Sequence, residues 1–234
     1  MVNLRTARFQ PASDRSVLVS FGERIGLESH RQVAKLLRLL ELEPIADVRN
    51  LHPAYCSLLI TFDALKWTHS ELESVVHRYL ERMEDLPLPE PRLMEIPVCY
   101  GGEYGPDLND VSNLHGITPA RVIELHAATE YVVYFLGFVP GFAYLGELPE
   151  GLVTPRLAVP RRNVPSGSVG IAGRQTGVYP LPTPGGWRLI GRTPVAMFRP
   201  EREGMSLLAI GDRVRFMPIP SEQFEALKKT QDTA

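Results

Sequence analysis

Apolar positions in the first ninety residues fall into short blocks of two kinds. Ser16–Phe21 (SVLVSF) is a strand-length apolar run closed by Gly22. Val33, Leu36, Leu37 and Leu40 then recur at i, i+3, i+4 and i+7, the spacing of one helix face. Ser29 and Gln32 stand in capping-box spacing at its start. Ile45–Val48 and Cys56–Phe62 (CSLLITF) read as the next strands. A second helix opens near Thr68 or Ser70 and buries Leu72, Val75, Val76, Tyr79, Leu80 and Met83. The order β-α-β-β-α predicts helices on one side of an antiparallel sheet. Residues 1–88 are therefore expected to form a small α+β domain of ferredoxin-like character. Leu86–Arg92 has three prolines in seven residues, which favours extended backbone and marks a linker.

The rhythm changes over residues 89–234. Leu93–Tyr100 reads as a strand. Thr118-Pro119 is a helix start, with a capping hydroxyl and proline at the first helical position. Val122, Ile123 and His126 share a face of that helix, and Tyr131–Leu136 (YVVYFL) is a strand-length run. From Gly137 to Pro194 there are 11 Gly and 9 Pro in 58 residues, which excludes long helices and predicts repeated tight turns. Ser168–Ala172, Trp187–Arg192, Val195–Phe198, Met205–Ile210 and Arg213–Pro218 fit between them as short strands, with a short helix and tail after about Gln223. Many short strands with this punctuation suggest a barrel or sandwich.

Composition narrows the function classes. A net charge of -2 over 234 residues gives no basic field for nucleic acid. No run of about 18 apolar residues and no signal-peptide core is present, so a cytoplasmic chain with no membrane contact is expected. Cys56 and Cys99 lie in apolar runs and read as small buried hydrophobes. Phosphate-binding loops of the G-x-x-x-x-G-K-[ST] kind and G-x-S-x-G nucleophile turns are absent from the sequence. Gly167, Gly170 and Gly173 are not spaced as a dinucleotide fingerprint. The six histidines have no metal-ligand spacing, so no metal site is expected.

The Gly/Pro-rich stretch nevertheless concentrates charge. Arg156, Arg161, Arg162, Arg174, Arg188 and Arg192 face only Glu147 and Glu150. Guanidinium groups bind carboxylate or phosphate through paired donors. Gln175, Thr176, Tyr179 and Trp187 are interleaved, and Gly185-Gly186 lets backbone approach a ligand. Two readings stand: a pocket for a small carboxylate or amide, or solvated barrel rims with ordinary turns. Gly137–Gly146 (GFVPGFAYLG) carries three aromatics in irregular chain, either as a core plug or as an exposed partner loop. His126 is either a satisfied core histidine or a proton shuttle. Asp107 and Asp110 read as polar-loop residues.

Three segments carry a resemblance to a known family: G-F-x-P-G-F-A-Y-L-G from Gly137; T-P-R-L-x-x-P-R-x-x-V-P-x-G-S-V-x-I-A-G-x-Q-T-G-V-Y-P from Thr154; and P-G-G-W-x-x-I-G-R-T-P from Pro184. Together with Pro97–Gly102, Gly105–Leu108 and Gly211–Phe216 they resemble the family of KipI-like proteins, allophanate hydrolase subunit 1 and the 5-oxoprolinase B subunit. The resemblance implies a small α/β domain followed by a mostly-β, cyclophilin-like barrel. It implies a component of an ATP-dependent 5-oxoprolinase that opens 5-oxo-L-proline to L-glutamate and is inactive alone. The implied partners are the KipA-like C subunit and the LamB/YcsF-type A subunit of that enzyme. On this reading His126, Arg161 and Gln175 are candidate catalytic residues, and Thr176, Tyr179, Gly185, Gly186, Trp187 and Arg192 bind substrate. Arg161 and Arg192 would hold carboxylate or phosphate charge. ATP belongs to the complex, at an unassigned place. The alternative is a KipI-type regulator that binds and inhibits a sensor histidine kinase; prolyl isomerisation would follow from barrel likeness alone, and fold does not carry function.

Overall fold

The protein is described by a computed structural model covering residues 7–232, which divides into compact units at Glu90/Pro91. The first unit runs β1 (Arg8–Ser13), β2 (Ser16–Ser20), α1 (Leu27–Leu42), β3 (Val48–Pro53), β4 (Ser57–Phe62) and α2 (His69–Arg82). Its sheet is antiparallel in the order β1-β2-β4-β3. Val17 lies opposite Ile60 and Val19 opposite Leu58, which puts their side chains on one buried face. Val33, Leu36, Leu37 and Leu40 of α1, with Leu72, Val76 and Leu80 of α2, are buried too, and both helices pack against this sheet.

Local expectations hold where a side chain closes its own hydrogen bond. Thr68 caps α2, and Glu71 completes the reciprocal capping box. At α1 the capping box fails: the helix begins at Leu27 after Gly26, and Ser29 instead donates to the Phe21 carbonyl. The strand expected at Ile45–Val48 begins only at Val48, because Asp47 turns the chain through a left-handed conformation. β1 has no forerunner in the apolar pattern. It contains Pro11, and only an edge strand tolerates the missing donor.

The second unit contains β5 (Leu93–Tyr100), α3 (Leu108–His115), α4 (Pro119–Ala128), β6 (Glu130–Leu136), β7 (Ala143–Gly146), a single 3-10 turn (Glu150–Leu152), β8 (Arg161–Val164), β9 (Ser168–Ala172), β10 (Gln175–Val178), β11 (Thr183–Gly185), β12 (Arg188–Arg192), β13 (Arg213–Pro218) and α5 (Ser221–Asp232). Seven strands close a barrel in the order β10-β7-β6-β13-β5-β12-β9, while β8 and β11 form a separate ribbon. The interior is filled by Ile96, Val98, Tyr131, Val133, Leu145, Val169, Ile171, Val178, Ile190, Val214 and Phe216. Alternation along each strand makes the other side chains outward-facing. No helix among the described residues is long and apolar enough to cross a membrane.

Three expectations change here. Val195–Phe198 and Met205–Ile210 are not strands; one bridge, Phe198 with Ser206, joins them. Asp110 lies in the first turn of α3, a helix that the sequence pattern does not announce. The helix after β13 begins at Ser221, and the tail beyond Asp232 lies outside the described residues.

Candidate functional site

The outer face of β7, β10, β9 and β12 is built around two missing side chains. Gly170 of β9 and Gly177 of β10 lie directly opposite one another. A Cβ on Gly170 would stand 3.1 Å from the Trp187 Cβ; one on Gly177 would meet the Ala143 carbonyl at 2.9 Å and the Phe142 ring at 3.1 Å. The bare patch lets aromatic rings lie against the barrel wall. Phe142 is the hub, edge-on to Tyr144, Tyr179 and Trp187 with centroids 4.9, 5.2 and 5.4 Å away. Val164, Ala172 and Leu189 complete this second, smaller core.

The aromatic loop thus divides the two roles offered by its sequence. Phe142 is core, whereas Phe138, at the tip with a left-handed backbone, is 60 % exposed.

The β8–β11 ribbon sets polar groups beside this layer. Arg161 of β8 pairs in register with Gly185 of β11. A Cβ on Gly185 would fall 2.5 Å from the Tyr179 hydroxyl, so glycine is what admits that hydroxyl to the ribbon. Burial pushes the Tyr179 phenol above its ordinary range. Arg161 donates to Asp107 Oδ1 at 2.6 Å, and the Leu189 N–H donates to Asp107 Oδ2 at 2.7 Å. Asp107, expected in a polar loop, is instead buried, with both oxygens occupied. It ties the start of α3 to β8 and β12.

Gln175 lies two residues from Gly177 on β10, on the same outward face; it is half-buried, and its amide makes no hydrogen bond among the described residues. Thr176, next to it, points the other way. It is fully buried and belongs with His126 inside the barrel. Thr176 Oγ1 donates to the Gly170 carbonyl at 3.1 Å and lies 2.9 Å from His126 Nε2. Nε2 therefore carries the proton, and Nδ1, 2.8 Å from Tyr100 Oη, accepts. The ring stacks on Phe216 at 4.7 Å. Desolvation lowers the His126 pKa to about 3.

Residues 7–208 match the carboxyltransferase domain family, subdomains C and D. The 5-oxoprolinase B subunit of Bacillus subtilis (strain 168) is 41% identical, over 96% of this chain and 98% of its own. The chain belongs to the 5-oxoprolinase B-subunit family. That of Escherichia coli O157:H7 is 58% identical over 61% of this chain and 65% of its own. Among solved structures, a crystal structure of TTHA0988 superposes with a TM-score of 0.78 at 38% identity, covering 88% of this chain. This chain spans only 40% of that one, so the relative carries further polypeptide.

Within the family's matched segment, the residues singled out from sequence separate into three places. Arg161, Tyr179, Gly185 and Trp187 come together at the ribbon, with Gly186 beside Pro160 and Gln175 on the same barrel face. Thr176 and His126 are interior. A proton shuttle at His126 finds no support in this placement: the ring is buried, both nitrogens are engaged, and its basicity is far below neutrality. Arg192 is directed to the turn after β5, its guanidinium 5.8 Å over the Tyr104 ring and its Nη2 3.5 Å from the Glu103 carbonyl. Asp107 and Tyr144 are residues of this region whose places sequence reasoning missed. Asp107 has only a Gly-Pro before it to mark it, and Tyr144 stands out only as part of an aromatic run. No cluster of three or more His, Cys, Asp or Glu able to hold a metal occurs among the described residues.

Proposed function

We propose that this chain is the B subunit of an ATP-dependent 5-oxoprolinase, working with a KipA-like C subunit and a LamB/YcsF-type A subunit. The reaction adds water across the lactam C–N bond: oxygen goes to the carbonyl carbon and a proton to nitrogen, coupled to cleavage of ATP. No residue here is assigned to ATP, which is a substrate of the complex. The chain's part is a half-site for the lactam on the outer barrel face, incomplete without another polypeptide. The N-terminal unit belongs to the same reading as a ferredoxin-like companion domain.

What supports this most is the grouping of Arg161, Gln175, Tyr179 and Trp187, all from the segment that matches the family, on one side of the barrel rather than scattered around it. A free amide on the barrel face that carries an aromatic layer is chemistry suited to a small polar ring. The relatives' names, which make them one component of an enzyme, and the extra polypeptide carried by TTHA0988 both favour action within a larger assembly. The test is reconstitution. All three proteins together should release glutamate from 5-oxoproline with ATP cleavage, and omission of this chain should abolish both. Full turnover by the other two proteins alone would refute the assignment.

A further inference from the structure

The six arginines of the Gly/Pro-rich stretch are not equivalent once their partners are known. Arg161 is committed to Asp107, and Arg174 to Glu147 and Glu150. Arg188 donates to the Pro155 carbonyl and lies 3.6 Å from Asp110. Arg192 covers Tyr104. Only Arg156 and Arg162 are left without an acidic or hydrogen-bonded partner among the described residues. Arg162 follows Arg161 in β8 and so faces the opposite side of the ribbon.

The backbone on either side of Arg156 is anchored. The Pro155 carbonyl is tied to Arg188 at 3.3 Å, and the Leu157 N–H donates to the Gly186 carbonyl at 2.8 Å. Thr154 bridges Gly173, at the turn that leads into Gln175. The exposed guanidinium thus springs from a strap fixed at both ends across the ribbon and the β9–β10 turn. Its field reaches the phenols of Tyr144 and Tyr179, whose ionisation it favours against burial.

We infer that Arg156 recognises the carboxylate of the lactam substrate, and that Arg161 is a positioning residue that holds the ribbon through Asp107. This rests on the 5-oxoprolinase reading for the identity of the substrate. It replaces Arg161 and Arg192 as the carboxylate-holding residues, because an arginine already neutralised or turned away offers a new anion little.

The experiment is Arg156→Gln in the reconstituted three-protein enzyme, with Arg162→Gln as the control. Arg156→Gln should raise KM for 5-oxoproline on the order of 10- to 100-fold with a smaller change in kcat. It should leave inhibition by the uncharged ring, pyrrolidin-2-one, unchanged, and Arg156→Lys should recover part of the loss. Arg162→Gln should match the parent. An unchanged KM in Arg156→Gln, or equal weakening towards the charged and uncharged rings, overturns the inference. Failure of the parent complex to turn over 5-oxoproline would sink the functional reading instead. Arg156 would then be decided by equilibrium dialysis of labelled 5-oxoproline against the assembled three-protein complex: binding lost in Arg156→Gln supports it, and absent or identical binding refutes it.

Discussion

His126→Gln separates a structural histidine from a catalytic one, and its size follows from the geometry. The imidazole is neutral and fully buried, hydrogen-bonded at both nitrogens and stacked on Phe216. Its pKa falls from 6.5 to about 3 on folding. The unfolded chain therefore binds a proton below about pH 6.5 that the folded chain refuses. Stability from this group is complete above that pH and is lost as pH falls towards 3. At pH 5 the unfolded histidine is about 1.5 units below its pKa, which costs the barrel about 2 kcal/mol relative to pH 7.5. Glutamine does not titrate, so the variant lacks that loss. At pH 7.5 it should be less stable than the parent by about 2–3 kcal/mol, from the lost ring contacts and poorer hydrogen bonds. At pH 5 the gap should shrink by about 2 kcal/mol. Urea unfolding at both pH values, in a Trp67→Phe background that leaves Trp187 as the sole tryptophan reporter, measures it. Equal pH dependence in the two proteins would mean that His126 protonates freely in the folded state, and the buried, neutral assignment would be wrong. Carboxylates that titrate in the same window are common to both proteins and cancel.

Gly177→Ala should cost about 1–3 kcal/mol in urea unfolding, because its methyl meets a backbone carbonyl at 2.9 Å that has no rotamer to yield; a variant as stable as the parent would show that the aromatic layer is looser than described. Asp107→Ala should cost about 2–3 kcal/mol, since it strips the Leu189 N–H and a partly buried guanidinium of their acceptor; a loss under about 0.5 kcal/mol in the same assay would argue against this tie. In the first unit, Thr68→Ala should lower thermal stability by about 1 kcal/mol through loss of the α2 cap, and no shift in melting temperature would refute that role.

The sequence was most readable where one residue's chemistry settles its own neighbourhood. Thr118-Pro119 opened α4 because hydroxyl capping and a proline without a donor act within one turn. Ser168–Ala172 and Arg213–Pro218 emerged with their bounds because apolar blocks between turn residues have few alternatives. β7, β8, β10 and β11 were not read, being three or four residues each; such strands exist only because partners from elsewhere in the chain complete them. α3 was hidden for a related reason: its buried apolar residues, Leu108 and Val111, are too few to announce a period, and its start is fixed by Asp107 acting on distant strands.

The candidate site was legible as a set of residue types but not as an arrangement, and charge shows why. A local excess of four positive charges suggested a pocket for an anion, yet composition cannot tell an arginine that is free from one that is spent. Asp107, more than fifty residues from Arg161 in sequence, cancels it; two glutamates cancel Arg174. The same limit applies to parity. Gln175 and Thr176 are adjacent and both polar, so the motif offers them together, but a strand sends one to the outer face and the other into the core. Once Thr176 is spent on Gly170 and His126, and Arg161 on Asp107, Arg156 and Gln175 are the groups of the proposed site still able to meet a ligand on the outer face. That is one cation and one amide, which on the proposed reading meet a carboxylate and a lactam edge, with no group among the described residues of this face placed to take the proton. On the proposed reading, the acid and base of the reaction belong to the partner subunits.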